Sequence, residues 1–160
     1  MRQTIGGTWI LMLVIIFILL FSAFIILTLN YSRTVRVKNE LIDMVEKYEG
    51  LNSESIELVN NYLYYTGHVT TGVCVEETTQ GVYGATSLSS NVLEPARAGA
   101  AYYYCIRKFN GANRTNYYQI SIFYQFNLPI LGETGNFEVR GSTSNFESHD
   151  DDRYSDEIRN

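Results

Sequence analysis

The residues best suited to chemistry in this chain of 160 residues are two cysteines and two histidines. An even number of cysteines, Cys74 and Cys105, predicts one disulfide if the domain that holds them is exported. In the cytosol the pair would stay reduced, so two free thiols are the alternative. Neither His68 nor His149 stands at a ligand spacing from the cysteines, and no zinc site is predicted.

No other set of residues predicts catalysis. Two histidines, scattered serines and no carboxylate pair at helical spacing in an apolar setting leave no triad or dyad. The glycine-containing run 81–84 lacks the Lys-Ser/Thr that follows the glycines of a phosphate-binding loop. We therefore expect no enzymatic activity, no cofactor and no metal.

The element that must position everything else is an uncharged apolar stretch, Trp9–Leu29. At about 1.5 Å per residue its helix spans about 31 Å, which matches the hydrocarbon core of a bilayer. Trp9 and Tyr31 are placed as interfacial anchors at its two ends. The residues that we expect to contact lipid include Trp9, Ile16, Phe17, Leu20 and Leu29.

Two alternatives compete with a retained membrane anchor. A cleaved signal peptide usually has an apolar region of only about 7–15 residues, and no small-x-small cleavage site follows this stretch. A buried helix of a soluble fold would need more chain around it than this protein offers.

Two amphipathic helices are predicted after the apolar stretch. The first continues the same helix and stops at Gly50. Its apolar stripe consists of Val37, Leu41, Met44, Val45 and Tyr48. The second begins at Asn52 or Ser53 and ends at Gly67, with a stripe formed by Ile56, Val59 and Leu63. The two helices predict an αα-hairpin that covers the segment after it.

Alternating residues in that segment predict a small antiparallel sheet. Strands are expected at 68–77, 101–108, 117–127 and 136–146, with a short strand at 81–85 inside a long loop. Side chains expected to share a face are Val69, Thr71, Val73 and Val75, then Tyr102, Tyr104 and Ile106, and finally Phe137 and Val139 facing inward. A Glu76–Arg107 pair is expected beside the cysteines.

The predicted fold class is therefore α+β, with a long N-terminal transmembrane helix that extends into an amphipathic helix, a second short helix and a small antiparallel sheet. The chain divides into a short flank (1–8), a transmembrane helix (9–30), an amphipathic extension (31–50), a small exported domain (51–146) and an acidic disordered tail (147–160).

Charge gives little direct information about partners or topology. The net charge is −5, and six acids against two arginines place −4 of it in the tail, so nothing forms the basic patch that nucleic acid requires. Counting Lys and Arg beside the apolar stretch slightly favours a cytoplasmic domain. The cysteine pair, the tyrosines and the short charged lead favour N-in, C-out, which we adopt.

Tyrosine is the most prominent aromatic residue, with 13 in the chain. Such residues usually pack within sheets, but a surface patch of them would serve a protein or glycan partner. The residues considered for this patch are Tyr102, Tyr104, Tyr118 and Tyr124.

The layout resembles a pilin or pseudopilin, and more narrowly the TadE-like minor pilins of tight-adherence (Tad) pilus systems. The resemblance rests on the Gly6-Gly7 leader, the apolar helix with its extension, and the runs YYQISIFYQFNLPILG and FEVRGSTSNF. It implies leader cleavage after Gly6 or Gly7, and contacts with the bilayer and with other pilin-like subunits or membrane assembly proteins. One feature departs from the family, because Leu11 or Met12 stands where the mature chain usually has its fifth-residue Glu. An unprocessed, membrane-resident assembly factor fits that departure better than an ordinary filament subunit.

Three functions remain open at this point. The chain is a pilin-like structural component, a single-pass anchor that displays an extracytoplasmic binding or adhesion domain, or an accessory subunit of a membrane complex. Self-assembly, or co-purification with a pilus motor, separates the first from the second.

Overall fold

The computed structural model describes residues 2–74, 81–111, 115–128 and 132–147 of the chain. Side chains are described for residues 7–74, 81–111, 115–125 and 136–146. The expected Glu76–Arg107 pair, Val75, His149 and the acidic tail from residue 148 onward lie outside these ranges.

The described part of the chain contains two helices followed by short and long antiparallel strands. The helices are α1 (Arg2–Lys47) and α2 (Ser53–Thr66). The strands are β1 (Gly72–Val73), β2 (Val82–Gly84), β3 (Glu94–Pro95), β4 (Ala101–Tyr102), β5 (Tyr104–Asn110), β6 (Thr115–Leu128), β7 (Gly132–Ser142) and β8 (Phe146–Glu147). The predicted α+β layout, with a long N-terminal apolar helix and a second short helix, is confirmed.

The helix α1 has one half whose large apolar side chains are exposed and one half that packs on the domain. Its large apolar side chains from Trp9 to Leu29 are exposed, whereas Val37, Leu41 and Val45 are buried. Leucine, isoleucine and phenylalanine dominate the first half, and no proline interrupts the hydrogen-bond ladder. Three residues of the apolar stripe predicted for the second half are therefore confirmed as buried, whereas Met44 and Tyr48 are half-buried.

The end of α1 differs by one residue from the prediction. Glu49 adopts the left-handed conformation with φ 53°, and Gly50 follows it with φ 135°. The amide of Gly50 donates to the carbonyl of Val45, and that of Glu49 donates to the carbonyl of Glu46, both at 3.1 Å. These two bonds form a Schellman motif in which Glu49, and not the glycine, occupies the left-handed position.

The boundaries of α2 follow from its caps. The side chain of Asn52 accepts from the amide of Ser55, while the hydroxyl of Ser55 accepts from the amide of Asn52, which forms a capping box. Gly67 ends the helix in the left-handed conformation, as the sequence predicts.

The main sheet has the strand order β3-β2-β5-β6-β7, with β8 paired to β6. All of its pairings are antiparallel. Ile122 on β6 pairs with Tyr104 on β5 and with Val139 on β7. The strands β1 and β4 form a separate two-stranded sheet. The predicted antiparallel sheet is thus confirmed, and its strands β5, β6 and β7 are neighbours in chain order.

The main core lies between the helix pair and one face of the main sheet. Its fully buried members include Leu41 and Val45 from α1, Ile56, Val59 and Leu63 from α2, and Tyr104, Ile106, Ile120 and Ile122 from the sheet. We call this the inner face of the sheet, and the opposite side its outer face. Burial of these side chains is the main force that holds the helices on the sheet.

The segment 68–74 is the clearest departure from the predicted strands. Only β1 is extended and paired, and His68, Gly72 and Cys74 turn inward while Val69 and Val73 are exposed. A glycine is required at position 72, because a Cβ there would overlap the ring of Phe123. The sequence suggested valines as the packed face, but the close approach to Phe123 selects the opposite one.

Candidate functional site

The most prominent candidate for function is the exposed apolar segment Trp9–Leu29 of α1. Among the described residues, one helix is long and apolar enough to cross a membrane, and the apolar window of that helix has no side chain buried inside the protein. The hydroxyls of Ser22 and Thr28 donate to the carbonyls of Ile18 and Phe24. These bonds satisfy the polar side chains within the helix, as an apolar solvent requires.

All residues expected to contact lipid lie on this exposed segment. Trp9, Phe17, Leu20 and Leu29 are each about two-thirds exposed, and Ile16 is nearly half exposed. The proposed cleavage residues Gly6 and Gly7 both lie inside α1, near its N-terminal end. An exposed run of this length is unstable in water, because each side chain loses the benefit of apolar burial.

The two cysteines are joined, as the sequence predicts. The Cys74–Cys105 disulfide connects the end of β1 to β5 with a Cα–Cα distance of 5.5 Å and closes a loop with a sequence separation of 31. It belongs to a second, smaller cluster on the outer face, with Val82, Tyr102 and Phe123. The disulfide fixes the small β1–β4 sheet on the outer face of the main sheet.

The outer face beyond this cluster is polar. Register places Cys105, Ser121 and Arg140 in one row across the sheet, and Arg107, Gln119 and Ser142 in the next. A shallow pocket there is lined by Cys74, Val82, Cys105, Arg107, Gln119, Ser121, Glu138 and Arg140. It offers guanidinium, amide and hydroxyl groups to a ligand.

Both arginines of the outer face have neighbours in the structure. Arg140 donates a hydrogen bond to Glu138 at 2.6 Å, and this bond raises the pKa of Arg140 above its usual value. Arg107 lies over the ring of Phe109 at 5.8 Å, and that ring stacks on Tyr117 at 5.0 Å. The arrangement orients both cations but assembles no nucleophile or acid-base pair.

Three of the four tyrosines considered for a partner surface are core residues. Tyr102 and Tyr104 are 1% and 0% exposed, and Tyr118 is 7% exposed. The hydroxyl of Tyr104 donates to Asn60 at 3.0 Å, and that of Tyr102 accepts from the amide of Arg97. The prediction of a surface patch is wrong for these three residues, because the helix pair and the β1–β4 sheet cover both faces of the strands.

The chain bends at Tyr103, which separates Tyr102 from its expected neighbours. The amide of Tyr103 donates to the carbonyl of Ala85 at 2.9 Å, and β4 and β5 are distinct strands on either side of it. Tyr102 therefore joins the cluster on the outer face, whereas Tyr104 and Ile106 stay in the main core. Neither a proline nor a glycine lies at this point, so the sequence does not predict the bend.

Tyr124 is the one member of the set that is partly exposed. Its ring stacks on Phe137 at 5.3 Å and meets the edge of Tyr31 at 6.2 Å. Phe137 faces α1 as predicted, yet it is 46% exposed because it lies at the edge of the main core. The three rings link β6 and β7 to α1 two residues beyond Leu29.

Sequence reasoning missed the buried amide of Asn60. It is 1% exposed, accepts from Tyr104 and donates to the carbonyl of Ser90 at 2.8 Å. The signal was present, because position 60 lies four residues after Ile56 on the apolar stripe of α2. A polar residue on such a stripe usually has a buried hydrogen-bond partner.

His68 is a buried titratable group that lies just after the end of α2. It is 8% exposed, and its Nε2 atom has no hydrogen-bond partner among the described residues. Burial lowers the pKa of His68 below its usual value, opposed by a hydrogen bond to the backbone of Phe123 and aided by the charge of Arg33. Within the described ranges, no group of three or more His, Cys, Asp or Glu side chains could hold a metal.

Comparisons of the chain with protein-family models, curated proteins and solved structures find no match. The function proposed below therefore rests on the geometry of the described residues.

Proposed function

We propose that this chain is a membrane-anchored, pilin-like or pseudopilin structural component of a Tad-type pilus or secretion system, without enzymatic activity. The observation that carries the proposal is the division of α1. Its first half exposes large apolar side chains all around the helix, with the hydroxyls of Ser22 and Thr28 bonded to the helix backbone, and one face of its second half is buried against an antiparallel sheet. A subunit built in this way can exchange lipid around Trp9–Leu29 for the apolar helices of neighbouring subunits.

The disulfide supports export of the domain, with the N-terminus inside and the C-terminus outside. Disulfides persist in oxidising compartments and are rare in the cytosol. Cys74 is 6% and Cys105 is 3% exposed, so reductants have poor access to the bond. Protease digestion of a tag placed after Asn160, on intact spheroplasts, tests this orientation.

Assembly through the apolar helix is tested by site-specific photo-crosslinking. A photoreactive residue at Phe17, which is 67% exposed, should form adducts with the apolar helix of another subunit. The matched control is the same residue at Val92, which is 59% exposed on a loop of the domain. Adducts with lipid alone at Phe17 would overturn assembly through this helix, and mass spectrometry of the N-terminus would show cleavage after Gly6 or Gly7.

A charge in the apolar helix provides a second test of the same proposal. Ile16→Lys places a charge near the middle of the span, where it costs about 2.5–3.5 kcal/mol on insertion scales. We expect loss of stable insertion or assembly, whereas Val92→Lys on an exposed loop should have no effect. Normal assembly of the Ile16→Lys protein would contradict the proposal.

The second candidate is a single-pass anchor that displays a binding or adhesion domain. The outer face favours it, because Arg107 and Arg140 stand beside a shallow pocket on a rigid, disulfide-bonded sheet. In that case an anionic or glycan partner would bind there, and the photoreactive residue at Phe17 would meet only lipid. An Arg107→Ala, Arg140→Ala double variant would then lose partner binding but keep its membrane location.

A further inference from the structure

Exposed aromatic and apolar side chains outside the apolar segment are concentrated at one end of the domain. Among the described residues, the large ones are Tyr31, Tyr64, Tyr65, Val69, Val73, Val92 and Phe137. Five of these lie on segments that meet α1 just after the apolar segment, and we call them the collar: Tyr31 on α1, Tyr64 and Tyr65 near the end of α2, Val69 after α2, and Phe137 on β7. Val92 lies on a loop elsewhere, and Val73 lies on β1 beside the collar.

Specific contacts bring the collar residues to this level of α1. Arg33 donates to the carbonyl of Thr66 at 2.8 Å, which fixes the end of α2, where Tyr64 and Tyr65 are exposed, to α1. Phe137 is connected to Tyr31 through the ring of Tyr124. On the other side, Asn136 donates to the carbonyl of Thr71 at 2.8 Å and draws the segment that contains Val69 towards the start of β7.

The distance along α1 matches the thickness of a lipid headgroup layer. Tyr31 and Arg33 follow Leu29 by two and four residues, which is about 3 and 6 Å along the helix axis. The interfacial layer on each side of a hydrocarbon core is about 5–7 Å thick. If Trp9–Leu29 fills the core, the side chains joined to Tyr31 and Arg33 lie in that layer.

The chemistry of the collar also fits a lipid interface. Tyrosine prefers the headgroup region, because its ring is apolar and its hydroxyl is wet. Between Tyr31 and Lys38 the helix carries Arg33, Arg36 and Lys38 and no acid, which suits contact with lipid phosphates. On a face exposed only to water, no such preference would favour tyrosine and phenylalanine beside the apolar segment.

We propose that the collar is a second lipid-binding surface that rests in the headgroup layer and holds the domain against the membrane. The proposal rests on the membrane insertion proposed above and goes beyond it. The single helix fixes the height of the domain, and the collar fixes its tilt by contacting lipid on several sides of α1. The sheet then stands with its β6–β7 end towards the bilayer and presents its outer face sideways.

Tryptophan fluorescence in vesicles tests the proposal, because Trp9 is the only tryptophan in the chain. The full-length protein is reconstituted in phosphatidylcholine–phosphatidylglycerol vesicles whose acyl chains are brominated close to the headgroup. In a Trp9→Phe background, Phe137→Trp and Tyr65→Trp each place one probe in the collar. Tyr48→Trp places the control probe about 25 Å farther along α1.

We expect at least a twofold loss of fluorescence by bromine for both collar probes and almost none for the control. Tyr65 is the safer of the two positions, because it is 84% exposed and its ring meets that of Tyr64, which is itself 69% exposed. The unsubstituted protein reports insertion separately through Trp9, so the two proposals fail in different ways.

Three results would overturn the proposal. Quenching of Trp9 without quenching of either collar probe would leave the anchor in place and remove the lipid contact. Shielding of the collar probes that depends on protein density, without quenching by bromine, would show that a second protein covers them. A lack of quenching at Trp9 itself would refute insertion, and the collar with it.

Discussion

Leu41 and Leu20 lie on the same helix, but their truncation to alanine should have very different effects on the stability of the domain. Leu41 is fully buried between α1 and the inner face of the sheet, whereas Leu20 is 66% exposed on the apolar segment. Leu41→Ala leaves a cavity that the packed strands cannot fill, and core truncations of this kind destabilise by about 2.7–5 kcal/mol. Leu20→Ala removes no buried protein contact, so we expect no more than about 0.5 kcal/mol.

The measurement is thermal unfolding of the full-length protein in detergent micelles, followed by near-ultraviolet circular dichroism of the domain tyrosines. For a domain of roughly 100 residues each kcal/mol moves the midpoint by about 4 °C, so Leu41→Ala should unfold about 10–20 °C lower. Far-ultraviolet dichroism is less informative, because the apolar half of α1 stays helical in the micelle. Equal midpoints for the two variants, or a larger loss for Leu20→Ala, would refute the division of α1 into lipid-facing and domain-facing halves.

Two further predictions concern the cluster on the outer face, and a third concerns the buried His68. Replacing both Cys74 and Cys105 by serine should abolish a mobility shift on non-reducing gels and lower stability by roughly 3–4 kcal/mol for a closed loop of this length; identical mobility before and after substitution would contradict the disulfide. Gly72→Ala should destabilise by about 1–3 kcal/mol, since its Cβ would overlap the buried ring of Phe123, and Phe123→Leu in the same chain should recover part of the loss in a urea titration. The pKa of His68 is lower in the folded protein than the value of about 6.5 in the unfolded chain, so its contribution to stability is complete above pH 6.5 and decreases as the pH falls below it. The difference in the free energy of unfolding between pH 7.5 and pH 5.5 should therefore be smaller in His68→Gln than in the unsubstituted protein.

The helices were the part of the fold that the sequence predicted best. Period and composition indicated that α1 runs through the apolar stretch into a stripe led by Val37 and Leu41, and both are buried. The caps of α2 were also visible, because Asn52 and Gly67 have the side-chain chemistry and backbone freedom that those positions need. The end of α1 was misplaced by one residue, since Glu49 accepts the left-handed conformation beside Gly50.

The positions of the strands can be predicted from the sequence, but the elements that cover each face of the main sheet cannot. Alternation in the predicted strand 117–127 places Tyr118, Ile120 and Ile122 on one face, and all three belong to the main core, since period 2 needs no knowledge of partners. It could not show that β1 and β4 fold back over Phe123, because that contact depends on Gly72 and on chain far away in sequence. For the same reason the sequence does not show that Tyr102 and Tyr104, both considered for a partner surface, are covered from opposite sides.

The remaining link between fold and function is the stiffness of α1. No glycine or proline occurs between Thr8 and Glu49, so the residues that most often kink a helix are absent from this whole range. Leu29 and Leu41 are therefore parts of one rod, and any displacement of the apolar segment is transmitted to the sheet through the packed stripe. For an assembling subunit, this means that the rotation of the helix among its neighbours determines which way the outer face points. The Arg33–Thr66 hydrogen bond and the ring contact between Tyr31 and Tyr124 lie at the junction of the two halves, where such a rotation is passed to both α2 and the β6–β7 hairpin.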